Sequence, residues 1–460
     1  MKLIKLIKTA LSGSYDKLTE GSINLAIVML AIPMIIEMIG ESIFAVVDAY
    51  FVGQLGSYAL STVGLTEAIL FLIYSIAIGI SAAVTAIVAR RTGENNTKLA
   101  ANATFQAILI SLILSILISI VGFYFSKDLL SLMGGDPETI EKGQGYMYVM
   151  LVGNLPILFL FMLNGAFRGA GNAAIAMYSL LIGNIINMIL DPFLIFGWWI
   201  FPEMGIEGAA MSSVIGRGVG VLFQIYFLQR KSSKIRITKE NLVVRYKTIS
   251  NMLRIASGGI FQYLISSASW IILTRITSEL GQSAVAANTI VMRIVMFTLL
   301  PSWGVANAAA TLVGQNLGAK KPDRAEKSVW RAAHINAIYL LVICASYLIF
   351  ANDLANIFST ELSVVQSAGS GLQIIALGYI FYGYGMIISQ SFNGAGDTFT
   401  PMMLNVVSFI MIQAPVAYLL AIPWGYGQNG IFISISASYS LMACLAMIIF
   451  KLGKWKTKQV

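Results

Sequence analysis

The stretch 33–56, PMIIEMIGESIFAVVDAYFVGQLG, decides the fold. It is apolar for long enough to cross a bilayer, which takes about 20 helical residues. Yet it carries Glu37, Glu41 and Asp48. Carboxylates at membrane depth are costly and mark substrate or ion paths. Their spacings of four and seven residues set all three near one helix face. The stretch ends in VGQLG, and its Leu55-Gly56 returns 225 residues later as Leu280-Gly281.

The rest of the chain has the same character. Of 460 residues 57% are hydrophobic and 11% charged, where a soluble domain carries about a quarter charged residues. Long apolar runs recur from residue 24 to residue 451, so the chain is a polytopic helical membrane protein. The net charge of +9 sits in short loops, where it reads as a topology signal and as contact with lipid headgroups rather than with nucleic acid. Cys344 and Cys444 lie in separate apolar runs and supply neither a disulfide framework nor a metal pattern. The single histidine, His334, follows a basic loop and reads as interfacial. The first residues hold lysines without a short apolar core and cleavage site, so no removable signal peptide is expected. No nucleophile–base set and no G-x-x-x-x-G-K-[ST] loop is present, so neither an enzyme nor a nucleotide-driven pump is expected. No cofactor is expected apart from a coupling ion.

Twelve spans are predicted near 24–52, 59–88, 101–125, 143–166, 174–199, 206–229, 250–274, 284–314, 330–351, 364–391, 401–423 and 428–450. With the first residues in the cytoplasm, 25 of the 30 lysines and arginines fall in inside segments, Arg168 among them. Three fall outside, and Arg217 and Arg293 fall within spans. That bias supports an even number of crossings with both termini cytoplasmic. At the constant offset of 225, FRGAGN (167–172) matches FNGAGD (392–397), Gly153 matches Gly378, and Gly205-Ile206 matches Gly430-Ile431. Six spans per copy make the repeat parallel, with an N-terminal lobe at 1–235 and a C-terminal lobe at 236–460. Paired lobes around a cleft suit alternating access.

The copies differ in charge. Glu37, Glu41, Asp48, Glu67 and Asp191 have the counterparts Gln262, Ser266, Leu273, Met292 and Val416, so every carboxylate at membrane depth belongs to the first copy. A role in maintaining the fold would call for similar groups in both. Asn187 and Asp191 share a helix face. Pro192 removes the N–H that would satisfy the carbonyl of Met188, so a kinked helix with a free carbonyl beside a carboxylate is expected there.

VDAYFVGQLG, FRGAGN, FNGAGD, NMILDPFLIFG, GIEGAAMSSV and VGQNLGAKKPDRA, spread in order over nearly the whole chain, resemble the multidrug and toxic compound extrusion (MATE) transporters. The resemblance implies a V-shaped pair of six-helix bundles in the cell (inner) membrane that exports cationic or amphipathic drug-like compounds in exchange for entering H+ or Na+. It implies a first-lobe cation site formed by Asp48, Asn187, Asp191, Tyr146 and Ser213, with Ser212 as the alternative hydroxyl. Asp48, Asp191 and Asn187 are the ligands if the ion is Na+. Glu41, two turns deeper than Asp48 and out of reach of the interface, joins the coupling set. The second-lobe acids of the NorM-like branch are absent, which places the chain nearer the branch resembling DNA-damage-inducible protein F, in which Arg293 would take part in coupling. Glu67 and Arg293 lie at similar depths and are candidates for a charge pair, and Arg217 for neutralising a first-lobe acid. Tyr379, Tyr382 and Tyr384, with Gln262, are candidates for lining the drug cavity or for ordinary helix packing. A monomer surrounded by membrane lipid is expected. The rival reading is a lipid-linked saccharide flippase of the same fold, which would need several interior cations for a diphosphate.

Cysteine labelling of intact cells at Arg236 and Lys456 should report the same, cytoplasmic, side for both. Labelling from opposite sides would refute the twelve-span topology.

Overall fold

The computed structural model describes residues 2–13, 15, 17–231 and 233–460. A short helix, α1 (Lys2–Ser12), which the sequence reading left unassigned, precedes the crossings. Crossings 1 to 3 are α2 (Ile23–Gly53), α3 (Ser57–Gly93) and α4 (Thr97–Leu132). Crossing 4 is split into α5 (Pro137–Val152) and α6 (Leu155–Gly169), bent by 41°. Crossings 5 and 6 are α7 (Ala173–Phe196) and α8 (Ile206–Gln229). The second set is α9 (Tyr246–Ser278), α10 (Gln282–Gly318), α11 (Pro322–Asn356) and α12 (Leu362–Gly394). Crossing 11 is α13 (Phe399–Asn405), a π-helical segment (Val406–Gln413) and α14 (Ala414–Ala421), and crossing 12 is α15 (Gly427–Lys451). Among the described residues eleven helical stretches are long and apolar enough to cross a membrane, and the bent pair makes the twelfth.

Two turns explain why the repeat conserves glycine in its loops. Gly56 and Gly281, 225 residues apart, have φ of +106° and +103° ahead of α3 and α10. Gly171 and Gly396, also 225 apart, have φ of +83° and +84°. L-residues with a side chain rarely adopt those angles.

The same offset governs how the copies meet. A Cβ on Gly79 of α3 would lie 2.6 Å from the backbone N of Ile260 in α9, and one on Gly304 of α10 would lie 3.0 Å from the backbone N of Ile35 in α2. Gly79 and Gly304 are 225 apart, as are Ile35 and Ile260. Nearer the helix ends, a Cβ on Gly93 would strike the carbonyl of Gln315, and one on Gly318 that of Arg90, again a symmetric pair. One contact is thus made twice about a pseudo-two-fold axis between α3 and α10.

The close approach lets two helices cross between the bundles. The first half of α2 (Ala26, Ile27, Leu30, Ala31, Met34) packs in one core with α10, α11, α12 and α15. The first half of α9 (Met252, Ile255, Ala256) packs in the core of the first bundle. Beyond Pro33 the second half of α2 returns to its own bundle and lies along α7. The lobe division expected near 235 is therefore interleaved at this end, which also carries Arg90, Arg91 and Arg245 and is called the basic end below. At the other end the second bundle has a core of its own without first-bundle residues, Val46, Tyr50, Met296 and Phe297 are exposed, and the space between the two cores is called the wedge below. α2 and α7 are each assigned as one helix that includes its proline, Pro33 and Pro192 respectively.

After α15 the chain turns across the basic end. Lys456 pairs with Glu326 at 2.5 Å, Lys458 with Asp397 at 3.2 Å, and the carbonyl of Lys458 accepts from Arg90 at 2.8 Å. This strap joins the second bundle to the end of α3.

Gly79→Ala puts a methyl between two backbones that cannot yield separately, so a loss of about 1–3 kcal/mol is expected. Purified Gly79→Ala should melt below the wild type, whereas Gly64→Ala, on the same helix and facing open space, should melt no lower. Equal melting of the two variants would contradict the contact.

Candidate functional site

Helices α2 and α7 run side by side in the same direction, and each carries a polar stripe on an otherwise apolar surface. On α7 the stripe is Asn184, Asn187 and Asp191, spaced three and four apart, so one face holds all three. Facing it from α2 are Glu41 and Asp48, from α8 Ser212, Ser213 and Arg217, from α5 Tyr146, and from α3 Glu67 and Tyr74.

Asp191 is completely buried. One of its carboxylate oxygens accepts a short hydrogen bond from Ser212, and the other, Oδ2, has no donor. Asn187 is also buried and donates Nδ2 to Ser213 at 2.8 Å, which leaves its Oδ1 without a partner. Both hydroxyls that the sequence offered as alternatives are therefore engaged, Ser212 on the aspartate and Ser213 on the asparagine. Asp48 is half-buried, makes no hydrogen bond among the described residues, and lies within electrostatic reach of Asp191, Glu67 and Arg217. Tyr146 is buried against the same group, in reach of Asp48, Tyr74, Glu67 and Arg217.

Three further sets of charges surround this centre. Arg217 donates to the Tyr74 hydroxyl at 3.2 Å and lies 5.9 Å from the ring centroid, among the first-bundle acids. Glu67 and Arg293, the expected charge pair, are both exposed and are not joined by an ion pair in this structure. Arg168, read from the sequence as a loop residue, lies inside α6 and pairs with fully buried Glu37. Proximity to the glycine turn hid it.

Glu41 accepts from Asn184 at 2.9 Å, two turns inward from Asp48 and Asp191. Asn184 was also missed, although its spacing of seven from Asp191 was legible. Further inward, Gln224 donates to Asn164 at 2.6 Å and to Ser179 at 2.9 Å, closing a polar network behind the site.

The second-bundle candidates sit elsewhere. Tyr379 is 2% exposed, within bonding distance of the Thr298 hydroxyl, 2.7 Å, and packed on Tyr347, so it belongs to that bundle's core. Tyr382 is half-buried, edge-on to Tyr439 at 4.4 Å, and Tyr384 lies beside His334. Gln262 is half-buried and accepts from Asn393 at 3.2 Å.

Two buried oxygens without donors beside a half-buried carboxylate form a hard, oxygen-rich pocket. Such a pocket suits a small hard cation or a shared proton. Among the described residues no cluster of three or more His, Cys, Asp and Glu side chains offers a transition-metal site.

Residues 33–193 and 259–419 each match the MatE family. A protein of Thermotoga maritima named probable multidrug resistance protein NorM is 24% identical over 441 residues, covering 94% of this chain and 93% of its own length. A Shewanella oneidensis protein named FAD transporter is 26% identical, covering 87% and 89%. A solved structure titled the outward-facing conformation of a multidrug resistance MATE family transporter superposes with a TM-score of 0.88 at 26% identity, covering 96% of this chain and 98% of that one.

Proposed function

Since the chain belongs to the MatE family of membrane transporters, and its relatives include multidrug efflux proteins, we propose that it is a secondary active exporter of cationic or amphipathic organic compounds, driven by H+ or Na+ entering at the first-bundle site. The single observation that carries this reading is the pair of unpartnered oxygens, Asp191 Oδ2 and Asn187 Oδ1, buried beside Asp48. Burying two such acceptors costs free energy unless something fills the site in the working cycle. As an Na+ site it would use Asp48, Asp191 and Asn187; as a proton site, the two aspartates.

The basic end faces the cytoplasm in this reading, both termini with it, in a cell (inner) membrane, and the protein works as a monomer. The N-terminal lobe, 1–235, holds the ion, and the C-terminal lobe, 236–460, contributes Tyr382, Tyr384 and Gln262 to the drug path. The lack of second-bundle acids at membrane depth favours the branch resembling DNA-damage-inducible protein F, with exposed Arg293 available to the cleft. A lipid-linked saccharide flippase is not favoured. The interior offers few free cations for a diphosphate, because Arg168 is taken up by Glu37 and Arg217 sits among acids. The same shortage disfavours an anionic cargo such as FAD.

Helix α2 explains how ion and drug affect one another. Its second half carries Glu41 and Asp48 beside α7, while its first half lies in the second bundle's core, and Pro33 stands at the change-over. Charged Asp48 and Asp191 repel by an amount on the order of a few kcal/mol at intermediate dielectric. A bound cation removes that repulsion and permits α2 to shift, which the second bundle registers directly. Linkage then requires drug and cation to weaken each other's binding by one factor.

In proteoliposomes with Na+ and pH gradients imposed separately, Asp48→Asn and Asp191→Asn should each cut coupled drug transport at least tenfold while inserting normally. Wild-type rates in either variant would remove the site assignment. Cation affinity measured with and without saturating drug should differ in the wild type. Pro33→Ala should narrow that difference while cation binding persists, and equal affinities in the wild type would dismiss the linkage.

A further inference from the structure

The Glu37–Arg168 pair lies on the inner side of the proposed ion site, and the repeat supplies its control. Glu37 is fully buried; Arg168, from α6, has 16% of its side chain exposed toward the basic end. Taking such a pair out of water gains little net stability over well-packed neutral groups. The molecule contains the neutral version. At the symmetric positions, 225 residues on, stand Gln262 and Asn393, joined by one amide hydrogen bond of 3.2 Å. The equivalent positions are thus filled without charge in the second bundle, where Gln262 is half-buried and Glu37 fully buried, so the repeated fold does not by itself require an ion pair there.

The pair is also incompletely satisfied. Glu37 Oε1 takes Arg168 and, at 3.5 Å, Asn164, but Glu37 Oε2 and Arg168 Nε have no partner. The charged groups within reach of Glu37 are Arg168 and Glu41. From Asp48 through Glu41 to Glu37 the carboxylates descend one face of α2 over about 16 Å at 1.5 Å per residue. Asn184 bridges the middle rung and Asn164 the last.

We propose that Glu37 is a second cation-accepting carboxylate, on the exit side of the first-bundle site, with Arg168 as its resident counter-charge. This rests on the reading of Asp48 and Asp191 as the ion site. A cation leaving that site passes Glu41 and is received at the free oxygen of Glu37. Its charge weakens the hold on Arg168, which turns outward, and the guanidinium returns once the cation has gone. Arg168 thereby keeps the exit closed to cations whenever none is in transit.

The test gives the first bundle the amide pair that the second already has. Full-length Glu37→Gln/Arg168→Asn, purified and reconstituted, should melt close to the wild type and retain drug affinity within threefold. Its transport driven by a Na+ or a pH gradient should fall at least tenfold, in whichever gradient drives the wild type. Transport at the wild-type rate would overturn the proposal and leave the pair as packing. Should the double variant not insert, Glu37→Gln compared with Glu37→Asp at equal expression makes the same distinction: transport retained only with the carboxylate supports it, equal transport refutes it. Asp48→Asn, assayed beside them for cation affinity, separates the two readings. If that variant keeps cation binding, the site itself is wrong; if it loses binding while the double variant transports normally, only the relay fails.

Discussion

The close approach of backbones at Gly79 and Gly304, and again at Gly93 and Gly318, is the constraint on which the molecule depends. Four glycines let α3 and α10 come within backbone contact of the opposite copy, where any larger residue would hold the bundles apart. With the copies locked at the basic end, the first halves of α2 and α9 are buried in the opposite cores. The divergence at the other end follows, since the bundles share no comparable contact there. A wedge closed at one end by main-chain packing can rock without losing its register.

On this symmetric frame the chemistry is one-sided. The first bundle buries Glu37, Asp191, Asn187, Asn164 and Gln224, with Glu41 and Asp48 part-buried beside them, while the second meets the same geometry with amides, hydroxyls and stacked tyrosines. On the proposed reading an ion held inside one bundle is kept apart from drug in the wedge, so coupling does not call for a common ligand set. The shared element is α2, fixed in one core by its first half and exposing the site with its second.

The crossings, the repeat and the acid bias were legible in the sequence because each rests on periodicity or charge counted over many residues. What escaped was lateral placement. Arg168 lies a few residues before a glycine turn, and nothing in one dimension says whether its side chain points to water or back along the helix to Glu37. Glu67 and Arg293 match in depth, yet both are exposed and no ion pair joins them. Tyr379 and Tyr382 differ by less than one turn, and one is sealed in the core while the other is half-buried. Pro33 and Pro192 sit inside α2 and α7, each assigned as one helix. The split of crossing 4 falls instead at Gly153 and Asn154, where Asn154 turns its amide to the carbonyls of Leu151 and Ser115.

The doubled glycine contact also carries a history. Because each copy meets the other through the same patch, the interface is isologous, the kind that a single chain forms with itself. A six-helix ancestor needed only one such surface to assemble in parallel pairs, and any substitution in it then struck both halves at once. Fusion of the two copies into one chain ended that coupling of fates. Each half became free to vary alone, which is the condition under which a glutamate and an arginine can face each other in one while a glutamine and an asparagine hold the same place in its twin.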